Sequence, residues 1–434
     1  MPRLSVVFGV LVLSSCSLLV SSIGAAEPKS SQDWPQWRGS NGDNISQFKG
    51  ISTDWAAKSP ALLWKLDGMG QGFASVSVVG DRLYTTGNIG NSQALIAVDL
   101  KTQNVAWTSP LTDSVPKHGY DGSRCTPSVD GDRLYAVTSN GQITCVKVTD
   151  GSVIWKKVFE TEWKGKMMSG WGFSESPLVD GDYVLCTPGS ADAMIVCLDK
   201  LTGKEIWKSA VPDQGNAGKP GAGYSAMTIS HGAGVKQYVQ LIGRGLIGVR
   251  ASDGKHLWSY NRIANGVADI PTPIVKGDYV FGSTGYNEGG SALLKLTRNG
   301  DGVDAVEQYY RGKELQNHHG GIVLIGDHLY FGEGHNNGLP ICVDLISGDV
   351  KWGGKTRGAG NGSAAITAVD GHLIFRYQSG EVALIEATPT EYKLKGSFMP
   401  IFQERESWAH PVVAAGKLYL REQNTLMCYD LTAK

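Results

Sequence analysis

Net charge is almost absent from this sequence: 40 Lys and Arg stand against 41 Asp and Glu, leaving −1. That balance excludes a general polyanion binder, because nucleic-acid affinity is built largely from phosphate neutralisation, so no nucleic-acid partner is expected. Long Ala/Glu/Lys/Leu-rich stretches are missing too, and with them the signature of a helical architecture. Beyond the N-terminus no run approaches the roughly 20 apolar residues of a membrane span. Cysteine is sparse, with seven in 434 residues; no two are adjacent, and no C-x-x-C-H is present to attach a haem.

What the chain does have is 57 glycines and 12 tryptophans, a composition of short strands joined by tight turns. The first residues read as a targeting segment. "MPR" is a basic start, "LSVVFGVLVL" an apolar run, and Gly24, Ala25 and Ala26 supply small residues before Glu27. This pattern predicts a signal peptide over 1–26, cut after Ala26, and an exported, periplasmic or cell-envelope protein. "LSSC" gives a second reading, a lipid anchor at Cys16, which would be the one membrane attachment.

One motif recurs. "VDLKTQNVAWTS", "VKVTDGSVIWKK", "LDKLTGKEIWKS", "VRASDGKHLWSY" and "VDLISGDVKWGG" each carry an apolar strand, a polar turn usually closed by Gly, and then a Trp. Upstream of each lie two further apolar runs separated by "GD", "DG" or "GK", pairs whose Gly accepts the positive φ of a tight hairpin. Cys145, Cys197, Cys342 and Cys428 occupy one slot of different repeats, filled by Ala97 in the first, which marks a small buried position rather than a disulfide framework. Four strands every 42 to 52 residues describe a propeller blade.

Eight units can be counted, with first strands beginning near Phe73, Thr126, Ser176, Tyr224, Pro271, Gly320, Ala364 and His410. Trp107, Trp155, Trp207, Trp258 and Trp352 mark five fourth strands, with Tyr309 and Tyr310 in the fifth unit and Tyr392 in the seventh. The eighth unit lacks its fourth strand, while "PALLWKLDG" near the start, with Trp64, has none before it. The expected fold is therefore all-β: an eight-bladed β-propeller of four-stranded antiparallel blades over 61–434, closed by residues 61–67 completing the last blade. Residues 27–60 form a leader. The six tryptophans are read as structural, each covering the small residue of the neighbouring strand.

Asp199, Thr202, Gly203 and Trp207 show the pattern that resembles the tryptophan-docking repeat of quinoprotein alcohol dehydrogenases, and the likeness runs over about 61–431. Within that superfamily the chain resembles most the shorter, cofactor-free envelope propellers of the BamB kind, and "DWPQWRG" (Asp33 to Gly39) is similar to their openings. The resemblance implies a non-catalytic scaffold, a monomer, whose partner is an envelope protein or outer-membrane assembly component. The dehydrogenase side of the superfamily implies pyrroloquinoline quinone held between a Trp and a disulfide of adjacent cysteines, with calcium on Glu, Asn and Asp. This sequence departs from that pattern: it has no adjacent cysteines, no haem motif and no long insertions. Neither the quinone nor calcium is expected, and a quinoprotein-type oxidoreductase is the rival reading. "DGD" at Asp130–Asp132 and Asp180–Asp182, and "NGDGVD" at Asn299–Asp304, are read as hairpin turns, since they lack the spaced ligands of a calcium loop.

Residues that the repeat does not explain collect in the loops before first strands, on one rim. They supply the candidate binding set: Tyr120, Arg124, Trp163, Trp171, Glu175, Tyr224, Asp269, His318, His319, Glu406, Trp408 and His410. Aromatic and charged loop residues on a rigid scaffold suit recognition, and aromatic rims also stack on sugars, so a carbohydrate-binding propeller is a further alternative. His318 and His319, as strand neighbours, are expected to point to opposite faces and so not to share a ligand.

Overall fold

The computed structural model describes residues 1–2, 32–286 and 288–433. The predicted signal segment, its cut after Ala26 and the lipidation site Cys16 lie outside the described residues. No described helix is long and apolar enough to cross a membrane.

Eight antiparallel sheets follow one another in chain order. Their inner strands are Ser77–Val79, Ser128–Asp130, Leu178–Asp180, Thr228–Ser230, Ile274–Lys276, Asn317–Ile325, Ala364–Val369 and Val412–Ala414, here blades one to eight. Six of these are only three residues long, and most start later than the sequence suggested, at Ser77 rather than Phe73 and Thr228 rather than Tyr224. Pro127, Pro177, Pro273 and Pro411 precede inner strands and cannot donate to a ladder, so the chain there turns towards the axis instead. Hydroxyls then tie neighbouring blades together: Ser128 Oγ donates to Pro177 O (2.6 Å), Thr367 Oγ1 to Pro411 O (2.7 Å) and Ser75 Oγ to His410 O (2.7 Å).

Ala61–Asp67 pairs with Thr425–Asp430 as the outer strand of blade eight, so one sheet is woven from both ends of the described chain. Arg421, 2% exposed, reinforces the join. Its guanidinium donates to Thr85 Oγ1 at 2.7 Å and to the carbonyls of Met69, Gly70 and Thr86, all in or beside blade one. On the other side of blade eight, Arg376 of blade seven meets Glu422 at 2.8 Å with both side chains 1% exposed.

Each docking residue sits opposite the small slot of its own blade: Trp107 with Ala97, Trp155 with Cys145, Trp207 with Cys197, Trp258 with Gly248, Trp352 with Cys342 and Trp64 with Cys428. The six described cysteines are free and buried. The indole also reaches the next blade. Trp107, Trp155 and Trp207 donate to Val148 O, Lys200 O and Ala251 O at 3.1, 3.1 and 3.2 Å, and each lies on the turn glycine that follows, Gly151, Gly203 or Gly254. In blade five Tyr309 does the same through its hydroxyl, 2.9 Å from Leu345 O. Tyr392 does not fill the slot of blade seven. Gly396 occupies it, opposite Leu384, and Trp55 of the leader, 2% exposed, lies over that glycine.

The leader crosses the base of the ring from blade to blade. Trp34 bridges to Val78, Pro35 O accepts from Val129 N (2.8 Å), Trp37 Nε1 donates to Thr272 Oγ1 (3.2 Å), and Arg38 Nη2 to Ile322 O (2.9 Å). Ile45–Ser46 then adds a short parallel strand to blade seven. One end of the axial channel is thereby closed.

Candidate functional site

The loops leading into the inner strands open on the face opposite the leader. Together they form a cup of about 170 Å³, with Trp37 and Arg38 of the leader at its base. Eight of the twelve candidate residues line it: Tyr120, Arg124, Trp171, Tyr224, His318, His319, Trp408 and His410. The rings touch in sequence around the wall. Tyr224 and Trp171 are 5.9 Å apart, Trp171 stacks on Tyr286 at 6.1 Å, Tyr286 meets His318 at 4.7 Å, and Trp408 meets both Tyr120 and Phe73 at 4.9 Å. Trp171 and Trp408 are half-buried and Tyr120 is 45% exposed, so the mouth is open to a partner.

His318 and His319 do not point apart as expected. The ladder is irregular between Asn317 and Ile322, where Gly321 takes φ +75°, and the two rings lie 4.3 Å from each other. Burial, with the neighbouring imidazoles, pushes His319 down to about 3 and His318 lower still, and burial brings His410 down to about 4. At neutral pH all three are uncharged rings. Nε2 of His318, Nε2 of His319 and Nδ1 of His410 are buried and have no partner among the described residues.

Arg124 shapes the mouth. Its guanidinium donates to the carbonyls of Trp171 (2.9 Å), Gly119 (3.0 Å) and Tyr120 (2.6 Å), pinning two loops together. The backbone is strained at three cup residues, since Arg38, Tyr120 and Tyr286 hold φ +66°, +57° and +61°. Left-handed backbone at a bulky residue costs of order 1–3 kcal/mol and gathers at ligand-binding positions.

The other four candidates lie elsewhere. Trp163 is 5% exposed in a one-turn helix, Phe159–Trp163, where it packs on Phe159 and donates to Glu205 at 2.7 Å. Glu175 is buried under the blade-three loop, accepting from Thr187 N at 2.5 Å, and burial raises it to about 7. Asp269 is buried as well, holding Asn265, while its own carbonyl accepts from Tyr224 N at 2.8 Å. Glu406 belongs to a separate open groove of about 650 Å³ between blades six, seven and eight, with Asn336, Asn361, Gln378, Gln403, Glu404 and Arg405. Trp37, Arg38, Phe73 and Tyr286 were not in the candidate set. "DWPQWRG" was the one available signal for the first two, because Trp37 is not a docking tryptophan.

Pyrroloquinoline quinone with calcium does not fit these residues. No carboxylate, carboxamide or cysteine lines the cup, and among the described residues no three His, Cys, Asp or Glu side chains converge as a metal site.

Fold and site together define a tryptophan-docked eight-bladed β-propeller with one channel end plugged and the other open as an aromatic cup. Residues 112–354 match the family described as outer membrane protein assembly factor BamB, and the chain belongs to that family. No curated protein sequence matches it. Among solved structures it is similar to BamB from Moraxella catarrhalis, at 12% identity over 86% of this chain and 98% of that one, TM-score 0.58. It is also similar to quinohemoprotein alcohol dehydrogenase from Comamonas testosteroni, at 12% identity over 93% and 81%, TM-score 0.62. A europium-containing methanol dehydrogenase gives 14% identity over 90% and 89%, TM-score 0.64. At such identities the likeness is one of fold.

Proposed function

We propose that this protein is an exported, non-catalytic binding propeller of the cell envelope that holds a partner at its aromatic cup. The observation that carries the reading is the cup itself, where rings from seven blades and the leader converge on one concave surface with unpaired imidazole nitrogens in its wall. A cleft lined mostly by aromatic groups, with a few placed polar atoms, is what a binding site needs. Glu175 and Asp269, the two buried carboxyls among the rim candidates, do not line the cup, so they offer no acid or base to a ligand there. Export rests on the basic, apolar and small-residue pattern of 1–26.

Membership of a family named for outer membrane protein assembly favours a second reading, in which the partner is a protein of that assembly. The test is capture from cross-linked envelopes, comparing wild type with a Trp171→Ala/Trp408→Ala pair. A defined component retained by the wild type and lost by the pair is the expected result. Equal capture by both would move the site off the cup.

A further inference from the structure

The unpartnered atoms of the cup specify what they would accept. His410 Nε2 donates to His319 O at 3.1 Å, so its buried Nδ1 presents a lone pair. His318 Nδ1 is engaged by Ser363 Oγ at 2.6 Å, which leaves its buried Nε2 without a partner. Beside them Arg38 spends Nε and Nη2 on Gly42 O and Ile322 O, both at 2.9 Å, and its Nη1 lies next to Gly321 and the His410 ring. One wall therefore asks for a donor and an acceptor side by side. A carboxylate satisfies Arg38 but sets its lone pairs against that of His410; a hydroxyl group serves both. The remaining wall is aromatic faces, on which the C–H surface of a saturated ring can lie.

A second, independent feature adjoins the first. Trp408 Nε1 donates to Gln378 Oε1 at 2.9 Å, so one hydrogen bond joins an indole of the cup to a carboxamide of the polar groove. The groove carries four carboxamides, Asn336, Asn361, Gln378 and Gln403, each with donor and acceptor in one group. Such a surface suits a chain of hydroxyls better than an apolar peptide.

We propose that the cup takes the end of a saccharide chain, with one sugar ring on its indoles, and that the chain continues over Trp408 into the carboxamide groove of blades six to eight. The proposal rests on the reading of the cup as a binding site.

The test is intrinsic tryptophan fluorescence, with saturation-transfer NMR, on the wild-type protein. The probes are cellohexaose, chitohexaose and maltohexaose, with glucose and N-acetylglucosamine as single rings. The expected result is a saturable response to a hexasaccharide, weakened about tenfold by Trp408→Ala and largely restored in Trp408→Phe, as loss of one stacked face predicts. Asn361→Ala/Gln403→Ala should weaken the hexasaccharide about threefold and leave the single ring unchanged, in line with loss of exposed hydrogen bonds. That split distinguishes a chain lying in the groove from a free sugar in the cup, and unchanged hexasaccharide affinity in the groove pair overturns the chain path. Silence from all five sugars overturns the saccharide assignment. If partner capture still depends on Trp171 and Trp408, the cup stands and its ligand class has failed; if that is lost too, the binding reading falls with it.

Discussion

Gly254 shows how tightly the repeat is set at the scale of single residues. Its φ is +74°, and a Cβ there would sit 2.5 Å from the Trp207 ring. The turn glycine thus serves two ends, a left-handed turn and a seat for the previous blade's indole. The Asp before the turn has its own task. Asp199 accepts from the Thr202 hydroxyl at 2.7 Å and from the backbone of Thr202 and Leu201 at 2.8 and 3.1 Å, which holds the turn and lowers its pKa. Glu175 is shifted the other way: burial lifts it to about 7. A carboxyl with a raised folded pKa contributes stability that is full below its unfolded value and lost as pH rises through the folded one. Glu175→Gln, which keeps an acceptor for Thr187 N, should therefore stabilise the protein at pH 8 by about 1–3 kcal/mol, with most of the gain gone by pH 5. Urea denaturation at the two pH values measures it, and a gain independent of pH would assign the effect to packing. The docking tryptophans were legible from the sequence because turn, spacing and indole repeat together. Tyr392 was misread because a glycine, Gly396, holds its blade's slot, and the partner indole comes from far away in the chain.

Loops and leader belong to the scale of elements. The rim loops were legible as a group, since each precedes an inner strand and each breaks the repeat. Their internal arrangement was not. Trp163 is drawn inward by a single helical turn that no periodicity announces, and the bend at Gly321 that brings His318 beside His319 depends on how the strand leaves its ladder. The leader was legible only as an opening motif. Its path across the ring rests on contacts hundreds of residues apart, such as Arg38 with Ile322, and no local pattern encodes those. Trp55 gives this element a measurable weight. Trp55→Ala removes a buried ring that meets Phe398 at 5.6 Å, and the cavity left should cost about 3–5 kcal/mol. Calorimetry checks this, and a shift below about 1 kcal/mol would mean that the site collapses to fill the space.

For the whole molecule, the join between blades eight and one decides whether the ring is one body. The last blade borrows Ala61–Asp67, and Arg421 fastens the seam by donating to carbonyls and a hydroxyl rather than to a carboxylate. Replacing it with methionine keeps most of the volume and leaves those acceptors buried and unpaired. Arg421→Met should lower unfolding free energy by about 3–5 kcal/mol. The urea midpoint reports this loss, and an unchanged midpoint would show that strand pairing alone carries the seam. The count of eight blades and the closing strand were both legible, because a unit short of one strand at one end matched a spare strand at the other.

The same seam sets the order in which this chain can finish folding. Ala61–Asp67 precedes the other blades in the chain and must wait for Thr425–Asp430, which follows them all, before the circle can shut. Bringing together segments so distant in sequence is slow. Until it happens the waiting strand and its unfinished neighbour expose raw edges that other chains can join. A cell making this protein therefore faces an interval, on every copy, in which something must keep those edges apart from those of other copies.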